Sequence, residues 1–230
     1  MKPKHSRYRH RFTHFTDALI PVYNWGFRRL AGRGHEAFRE HILELAALEG
    51  GEQVLDAGCG TGMMALRIAA RYTGCTVHGI DISPKMIAVA RCDAEEQGLT
   101  VGFRVGSITD LPYPDDSLDV VITNIMYHHL DLAEKRQAVA EIARVLRGPE
   151  PARTERSRRV EGRPGGRYVS AEFGPRADNA LRRHLAKGEY TLYPSHLTEA
   201  SLAITHEELG VFAWGKKVFY RVAVKQADPM

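Results

Sequence analysis

The chain has 230 residues, of which 43% are hydrophobic and 26% charged, a composition that suits one globular domain with a substantial core. No apolar run approaches the ~20 residues of a membrane span, and no signal-peptide stretch follows the basic N-terminus, so we expect a cytoplasmic protein. The three cysteines, Cys59, Cys75 and Cys92, are too widely spaced for a disulfide framework or a zinc site.

The net charge of +4 is concentrated in two segments. Residues 1–14 contribute +5 and residues 147–167, with seven arginines, contribute +4, which leaves −5 for the rest of the chain. Contact with nucleic acid or an anionic membrane is one interpretation of such segments. Solvated, flexible chain is the favoured interpretation, because neither segment has interleaved aromatic residues or a recognisable binding module. We expect residues 1–14 to form a disordered tail.

Two amphipathic helices are predicted before Gly50. Apolar residues recur at three- and four-residue spacing over residues 15–31 and again over residues 34–48. Pro21 is expected to disturb the first helix, because proline removes a backbone donor inside a helix. The glycine pair at 50 and 51 ends the second helix and leads into the first strand.

Strands and helices alternate from there to residue 173. Ser83 and Pro84 suit the N-cap and the first position of one helix, and the near-continuous apolar run at 118–124 is typical of a strand covered on both faces. The alternation predicts a parallel sheet with helices on both faces. The predicted strands cover 53–56, 76–81, 101–105, 118–124 and 168–173, and the predicted helices cover 63–72, 85–97 and 133–146.

The pattern changes after residue 173. Two further helices are predicted, and then two long strands that form an antiparallel hairpin around Gly215. These elements are helices at 179–187 and 195–203 and strands at 204–214 and 216–225. Residues 148–162, which are polar and rich in arginine, are predicted to be a disordered or loosely packed surface insertion.

Three glycines, Gly58, Gly60 and Gly62, follow the first predicted strand, and Asp81 ends the next strand 19 residues later. Such glycines let the backbone approach a ligand, and an acid about 20 residues on can accept from ribose hydroxyls. Asp56 stands directly before the glycines, where a dinucleotide would place its pyrophosphate. A carboxylate there repels a dianion and suits a cation. S-adenosylmethionine, an adenosine with a sulfonium, an ammonium and no phosphate, meets both conditions.

Four segments occur in an order and spacing that resemble the class I S-adenosylmethionine-dependent methyltransferases: Val54–Gly62, Gly79–Ser83, Gly106–Pro112 and Leu118–Asn124. The chain is most similar to the small-molecule branch that includes the ubiquinone and menaquinone biosynthesis C-methyltransferases. The similarity covers about residues 40–173 and extends through the predicted hairpin.

The resemblance implies an α/β fold, a doubly wound, mostly parallel, seven-stranded Rossmann-like sheet with a C-terminal antiparallel hairpin. A single methyltransferase domain would cover residues 15–230, with residues 15–49 forming N-terminal lid helices. The family's usual Arg-Val-Leu-Lys/Arg-Pro-Gly-Gly run is split here into Arg144–Arg147 and Pro164–Arg167 by the insertion. We expect the sheet to survive, because the break falls at a surface turn.

The resemblance also implies roles on the methionine and ribose side of the cofactor. Asp56 and the glycine turn would surround the methionine portion, Asp81 would accept from both ribose hydroxyls, and the backbone carbonyl of Asn124 would lie near the ammonium group. The residues of the turn in this role are Gly58, Cys59, Gly60 and Gly62.

On the adenine side, the resemblance implies that Ile82 packs on the base with Met86 beside it, and that Ser107 and Ile108 lie at the base edge. Many relatives carry an acid where Ser107 stands, and a serine would accept from the adenine amino group more weakly. Tyr23, on the first predicted helix, is the candidate lid residue over the cofactor. No metal site is predicted.

Candidate catalytic residues follow the fourth predicted strand, at the rim where parallel sheets bind ligands. Methyl transfer is an in-line displacement, which needs a base only if the nucleophile carries a proton. Tyr127, His128 and His129 are candidates for catalysis or acceptor contact, although a core position for Tyr127 and a local structural bond for His129 stay open. Glu172, at the end of the fifth strand, would hold a polar group of the acceptor or cap the next segment.

The expected partner is a small-molecule methyl acceptor that is quinone-like, aromatic or lipid-like, enclosed by the lid helices and residues 175–194. A nucleic-acid methyltransferase is the less favoured alternative, because the Asn/Asp-Pro-Pro-Tyr/Phe signature that holds a flipped base is replaced by Asn124-Ile125-Met126-Tyr127. A non-catalytic binder of S-adenosylmethionine also stays open. The sequence leaves the attacking atom and the oligomeric state undetermined.

Overall fold

The computed structural model describes residues 32–150, 153–155, 158–160, 164–173, 193–212 and 216–227. Several predictions concern residues outside these ranges. They are the tail at 1–14, the first lid helix with Tyr23, the helix at 179–187, almost all of the segment 175–194, and the turn at Gly215.

The described residues form five α-helices, nine strands and one 3-10 helix. The longest α-helix has 15 residues, and no helix in the described ranges is long and apolar enough to cross a membrane. In chain order the elements are α1 Gly32–Ala46, β1 Gln53–Ala57, α2 Met63–Arg71, β2 Thr76–Asp81, α3 Pro84–Gln97, β3 Gly102–Val105, β4 Val120–Asn124, the 3-10 helix Tyr127–His129, α4 Leu132–Val145, β5 Arg153–Glu155, β6 Arg158–Val160, β7 Arg167–Phe173, α5 Tyr193–Glu199, β8 Leu202–Phe212 and β9 Lys216–Lys225.

Seven strands form the main sheet in the order β3-β2-β1-β4-β7-β9-β8. The first five of these are mutually parallel, and β9 is antiparallel to both of its neighbours. The predicted doubly wound sheet with a C-terminal antiparallel hairpin is therefore confirmed. The strand order reverses at β1, which has β2 on one side and β4 on the other. The crevice outside the carboxyl ends of β1 and β4 is the place where such sheets bind ligands.

The core has two halves, one on each face of the sheet. Alternate strand residues face opposite sides: Val54 packs with the apolar side chains of α1, α2 and α3, whereas Leu55 packs with those of α4 and α5. Asp56 therefore lies on the α2 face. Glu172 lies four residues after Tyr168 in β7, so it faces the same side of the sheet as Tyr168, the α4 side with the second half of the core.

Helix starts were predicted well where the capping residue is local. Ser83 Oγ accepts from the Met86 amide at 3.3 Å, with Pro84 at the first helical position, as predicted. A second cap, at the start of α4, was not predicted from the sequence. There the Asp131 carboxylate accepts from the Glu134 amide at 2.9 Å, and the Glu134 carboxylate accepts from the Asp131 amide at 3.1 Å.

Two predictions need correction. Within the arginine-rich insertion, β5 and β6 pair in an antiparallel ladder, so those six residues are not structureless. The helix predicted over 195–203 ends at Glu199, and β8 already begins at Leu202. The change of direction occurs at Ser201, whose φ of +58° lies in the left-handed region that ends a helix.

Candidate functional site

The glycine turn, residues 58–62, is folded back onto β2. The amides of its first two residues both donate to the Ile80 carbonyl, at 2.8 and 3.0 Å. The Gly60 amide donates to Asp81 Oδ2 at 2.9 Å, and the Gly62 amide donates to the Cys59 carbonyl at 2.9 Å. These four donors are already used within the protein, so they do not form the amide cradle that binds a phosphate at other glycine-rich turns.

The three glycines of the turn differ in what surrounds them. Gly62, with φ +77°, is the N-cap residue directly before α2, and a Cβ there would lie 2.5 Å from the Phe103 ring. At Gly58 a Cβ would lie 2.7 Å from Cγ of Met126. At Gly60, with φ +55°, no atom of the described residues comes within 4 Å of a Cβ. Gly60 is therefore the glycine that leaves open space beside the backbone for a ligand.

Asp56 is a buried carboxylate beside this turn. Its side chain is 1% exposed, and Oδ2 accepts from the Ala65 amide in the first turn of α2 at 3.2 Å. Burial, together with the charge of Asp81, raises the pKa of Asp56 to about 7. A cation bound nearby would favour the ionised form and lower this pKa. The same environment raises the pKa of the Cys59 thiol well above its usual range, which keeps the thiol protonated.

Asp81 connects the glycine turn to the start of α3. Its Oδ2 accepts from the Gly60 amide, and its Oδ1 accepts from the Ser83 amide at 2.8 Å. Burial raises the pKa of Asp81, although both amides favour the ionised form. A third amide, that of Ile82, also contributes a hydrogen bond that favours the ionised carboxylate. Asp81 is therefore held in a fixed position at the carboxyl end of β2.

The predicted adenine residues divide into two kinds. Ile82, directly after Asp81, is 41% exposed, and Met86 in the first turn of α3 is partly exposed. Ile108, in contrast, is 5% exposed and packs in the second half of the core. The Ser107 hydroxyl bonds to Thr109, both to its hydroxyl at 2.8 Å and to its amide at 3.2 Å. Ile82 thus offers an exposed apolar surface on which an adenine ring could pack, whereas the side chain of Ile108 is buried in the core.

The exit of β4, defined here as residues 124–127, completes the rim. The side-chain oxygen of Asn124 is buried and has no hydrogen-bond partner among the described residues. Ile125 has a φ of +51°, which is rare for a β-branched residue. Buried polar atoms are normally satisfied in folded proteins, so this oxygen is available for a ligand donor.

The structure assigns Tyr127 mainly to packing. Its ring is 4% exposed, and its hydroxyl donates to the Lys135 carbonyl at 2.8 Å. Burial and the neighbouring Tyr168 and Glu172 raise the pKa of the phenol far above its ordinary value. These contacts argue against Tyr127 as a catalytic acid or base. His128 and His129 lie in the 3-10 helix next to it, and their catalytic roles remain predictions.

Glu172 has a role that the sequence analysis did not anticipate. Its Oε1 accepts from the Met126 amide at 3.1 Å and from the Tyr127 amide at 2.9 Å. The carboxylate therefore caps the 3-10 helix that follows β4. A bond across 45 residues of sequence leaves no local pattern by which it could have been found.

Comparison with known proteins identifies the family. Residues 54–148 match the family described as "Methyltransferase domain". A demethylmenaquinone methyltransferase of Deinococcus radiodurans is 30% identical over 197 residues, which cover 86% of this chain and 72% of that protein. The chain belongs to the class I S-adenosylmethionine-dependent methyltransferases.

Other comparisons extend this result and limit it. A demethylmenaquinone methyltransferase of Thermus thermophilus is 32% identical over 68% of this methyltransferase chain. The match spans 63% of that relative, and for two other curated relatives 56% and 52%. Geranyl diphosphate C-methyltransferase from Streptomyces coelicolor, solved with S-adenosyl-L-homocysteine, shares the fold with a TM-score of 0.64. It is 16% identical, and the match covers 83% of this chain and 79% of that one.

A buried arginine, Arg39, lies beside the glycine turn and was not among the predicted site residues. Arg39 is 8% exposed on α1, and its guanidinium donates to Sδ of Met63, the first residue of α2 after the glycine turn, at 3.5 Å. Its neighbours on the helix, Phe38, Ile42 and Leu43, are core residues. The sequence feature that could have identified Arg39 is a basic residue on the apolar face of an amphipathic helix, because buried charges are usually paired or functional.

Proposed function

We propose that the protein transfers the methyl group of S-adenosylmethionine to a small-molecule acceptor. A lone pair or carbanion of the acceptor attacks the methyl carbon, the carbon–sulfur bond breaks, and the sulfur keeps the bonding electrons. The products are the methylated acceptor and S-adenosylhomocysteine. The observation that carries the proposal is the buried carboxyl of Asp56, whose raised pKa would be lowered by a cation bound nearby. The amides of the adjacent glycine turn are already bonded within the protein and so are not available to bind a phosphate.

The described residues fit this cofactor. Asp81 would accept from the ribose hydroxyls, and the exposed Ile82 would support the adenine ring. Asp56 and the Asn124 side-chain oxygen would favour the positively charged end, and the open space at Gly60 would admit the methionine portion. Asn124 would thus act through its side-chain oxygen, whereas the family resemblance implied its backbone carbonyl.

Arg39 would supply the complementary charge for the cofactor's α-carboxylate. It contacts the first residue of α2, one residue beyond the glycine turn that borders the proposed methionine site. A guanidinium forms charge-assisted bonds to a carboxylate with two parallel donors. Such a bond would fix the amino-acid end and so align the sulfur and its methyl group toward the rim.

A quinone-like or other aromatic acceptor is the class that the comparisons favour. Two relatives that are 30% and 32% identical are named demethylmenaquinone methyltransferases. The acceptor would approach over the β4 exit, where Met126, His128 and His129 follow the cofactor rim. Nucleic acid is not the proposed acceptor, because this exit lacks the prolines of base-amine methyltransferases.

The proposal is tested by incubating the protein with methyl-labelled S-adenosylmethionine and a panel of acceptors. The panel would contain reduced demethylated quinones, simple phenols, prenyl diphosphates and, as a contrast, unmodified RNA. We expect label in a quinone-like or phenolic product, and less label with Asp81→Asn at the same subsaturating cofactor concentration. Label in RNA alone, or no labelled product from any acceptor despite tight cofactor binding, would contradict the proposal.

A further inference from the structure

We propose that Glu172 is the positioning residue of the methyl-transfer site, holding the β4 exit in the geometry that the acceptor meets. This inference rests on the proposed function for its kinetic consequence. Its structural part is the pair of bonds from the Met126 and Tyr127 amides to Glu172, which we call the clamp. The clamp can be measured without any acceptor.

Three consecutive amides of the β4 exit are held by the end of β7. The Ile125 amide donates to the Ala171 carbonyl at 2.8 Å, and the next two amides donate to Glu172 Oε1 at 3.1 and 2.9 Å. Glu172 is 6% exposed, so water competes little for these bonds. Glu172 therefore restrains the direction of the chain after β4 through two of these three bonds.

The restraint is needed because the backbone at the exit is strained. Ile125 is β-branched and has a φ of +51°, a conformation normally left to glycine or asparagine. A residue held there persists only when its surroundings impose the geometry. The Ala171 carbonyl accepts from the amide of Ile125 itself, and Glu172 accepts from the amides of the next two residues.

The clamp determines what lies over the glycine turn. With the exit in this position, the Met126 side chain packs on Gly58, close enough that a Cβ there would lie 2.7 Å from Cγ of Met126. The 3-10 helix with His128 and His129 starts at the next residue. Loss of the clamp would shift both the side chain next to the methionine site and the residues that face the acceptor. Asp81 and Ile82, at β2, would be unaffected.

The test compares Glu172→Gln with Glu172→Ala. Glutamine keeps an acceptor oxygen at the same reach, whereas alanine removes it. We measure hydrogen exchange at the Met126 and Tyr127 amides, with the Ile122 amide in β4 as the internal reference, and calorimetric affinity for S-adenosylhomocysteine. With an acceptor from the labelled panel we measure kcat and the KM for the cofactor.

For Glu172→Ala we expect exchange at the two amides to speed up by about tenfold or more relative to Ile122. The kcat should fall about tenfold or more, while the cofactor KM changes by less than about threefold. Glu172→Gln should stay within about threefold of the original protein in all measurements. If the alanine variant does not fold, Glu172→Asp replaces it, since its carboxylate is one methylene too short to reach both amides.

Unchanged protection of the two amides in Glu172→Ala, or in its aspartate replacement, would overturn the proposal. So would a Glu172→Gln variant that keeps the protection but loses kcat, because the charge would then act directly on the acceptor. If no acceptor is ever methylated, the proposed function fails, and the amide exchange still decides whether Glu172 holds the exit.

Discussion

The Asp81 carboxylate accepts from the Gly60 amide at 2.9 Å, so the acid that ends β2 is fixed to the middle of the glycine turn that follows β1. Its other oxygen accepts from the Ser83 amide at the start of α3. One side chain therefore joins the turn that follows β1 to the turn that follows β2. The ribose and the methionine portion would bind to two turns whose relative position is fixed before the cofactor arrives, because Asp81 bonds to both.

Replacing Asp81 should weaken cofactor binding more than it weakens the fold. Asp81→Asn loses an ionised acceptor for two ribose hydroxyls, and we expect the affinity for S-adenosylhomocysteine to fall about 10- to 100-fold by calorimetry. Glu95→Gln, an exposed acid on α3, is the control and should bind normally. Unchanged affinity in Asp81→Asn would remove Asp81 from the site.

Asp56 should make binding of S-adenosylmethionine depend on pH. Its pKa of about 7 in the free protein means that it must lose a proton to meet the cation, so affinity should fall as the pH drops below about 7. The fall should approach tenfold per pH unit. Calorimetry between pH 6 and 8 measures it, and Asp56→Asn should bind more weakly with little pH dependence. A wild-type affinity that is flat across this range would contradict the assignment.

The same group makes an opposite prediction for the stability of the ligand-free protein. Folding raises the pKa of Asp56 from 3.8 to about 7, so the folded state holds a proton that the unfolded state has lost between those values. The free energy of unfolding should therefore fall as the pH rises from about 4 to 7. In Asp56→Asn this contribution is absent, and urea unfolding at several pH values would show the smaller slope. Equal slopes would mean that Asp56 ionises normally.

Two glycine substitutions in the same turn should separate folding from binding. Gly62→Ala places a Cβ 2.5 Å from the Phe103 ring at a φ of +77°, and it should cost about 2–4 kcal/mol of unfolding free energy. Gly60→Ala has open space and should cost about 1–2 kcal/mol from its positive φ alone, but it should lower cofactor affinity. Chemical unfolding and calorimetry measure both. A Gly60→Ala variant that binds normally would contradict the ligand approach at this residue.

Tyr127→Phe tests whether the buried phenol is catalytic. The substitution removes the bond to the Lys135 carbonyl, and we expect a loss of about 1 kcal/mol in unfolding free energy. Turnover per folded molecule should remain within a few-fold of the original protein. A kcat lower by a hundredfold or more, with normal stability, would restore Tyr127 as a catalytic residue.

The sequence was sufficient for features that local patterns encode. The turn at 58–62, the position of Asp81 at the end of β2 and the Ser83 cap follow from spacing and from residue types that suit one conformation. It was insufficient where a contact joins distant parts of the chain. The bond between Glu172 and the Met126 amide, and the contact between Arg39 and Met63, depend on strand order and on helix packing.

Errors also arose where helical and extended patterns overlap. The apolar residues Leu197 and Leu202 both lie in the core, one in α5 and one in β8, and their spacing alone does not show where the helix ends. Tyr127 was equally ambiguous, because an aromatic residue at the ligand rim can face either the ligand or the core. Its hydrogen bond to Lys135 becomes visible only once α4 is placed against the 3-10 helix.

The central claim is that this turn selects a sulfonium cofactor, and calorimetric titration of S-adenosylmethionine and NADH into the protein at pH 8 tests it most directly. We predict that S-adenosylmethionine binds with one site per chain and that NADH produces no binding signal at the same concentrations. Asp56→Asn should lose affinity for S-adenosylmethionine. Binding of NADH with no binding of S-adenosylmethionine would contradict the account.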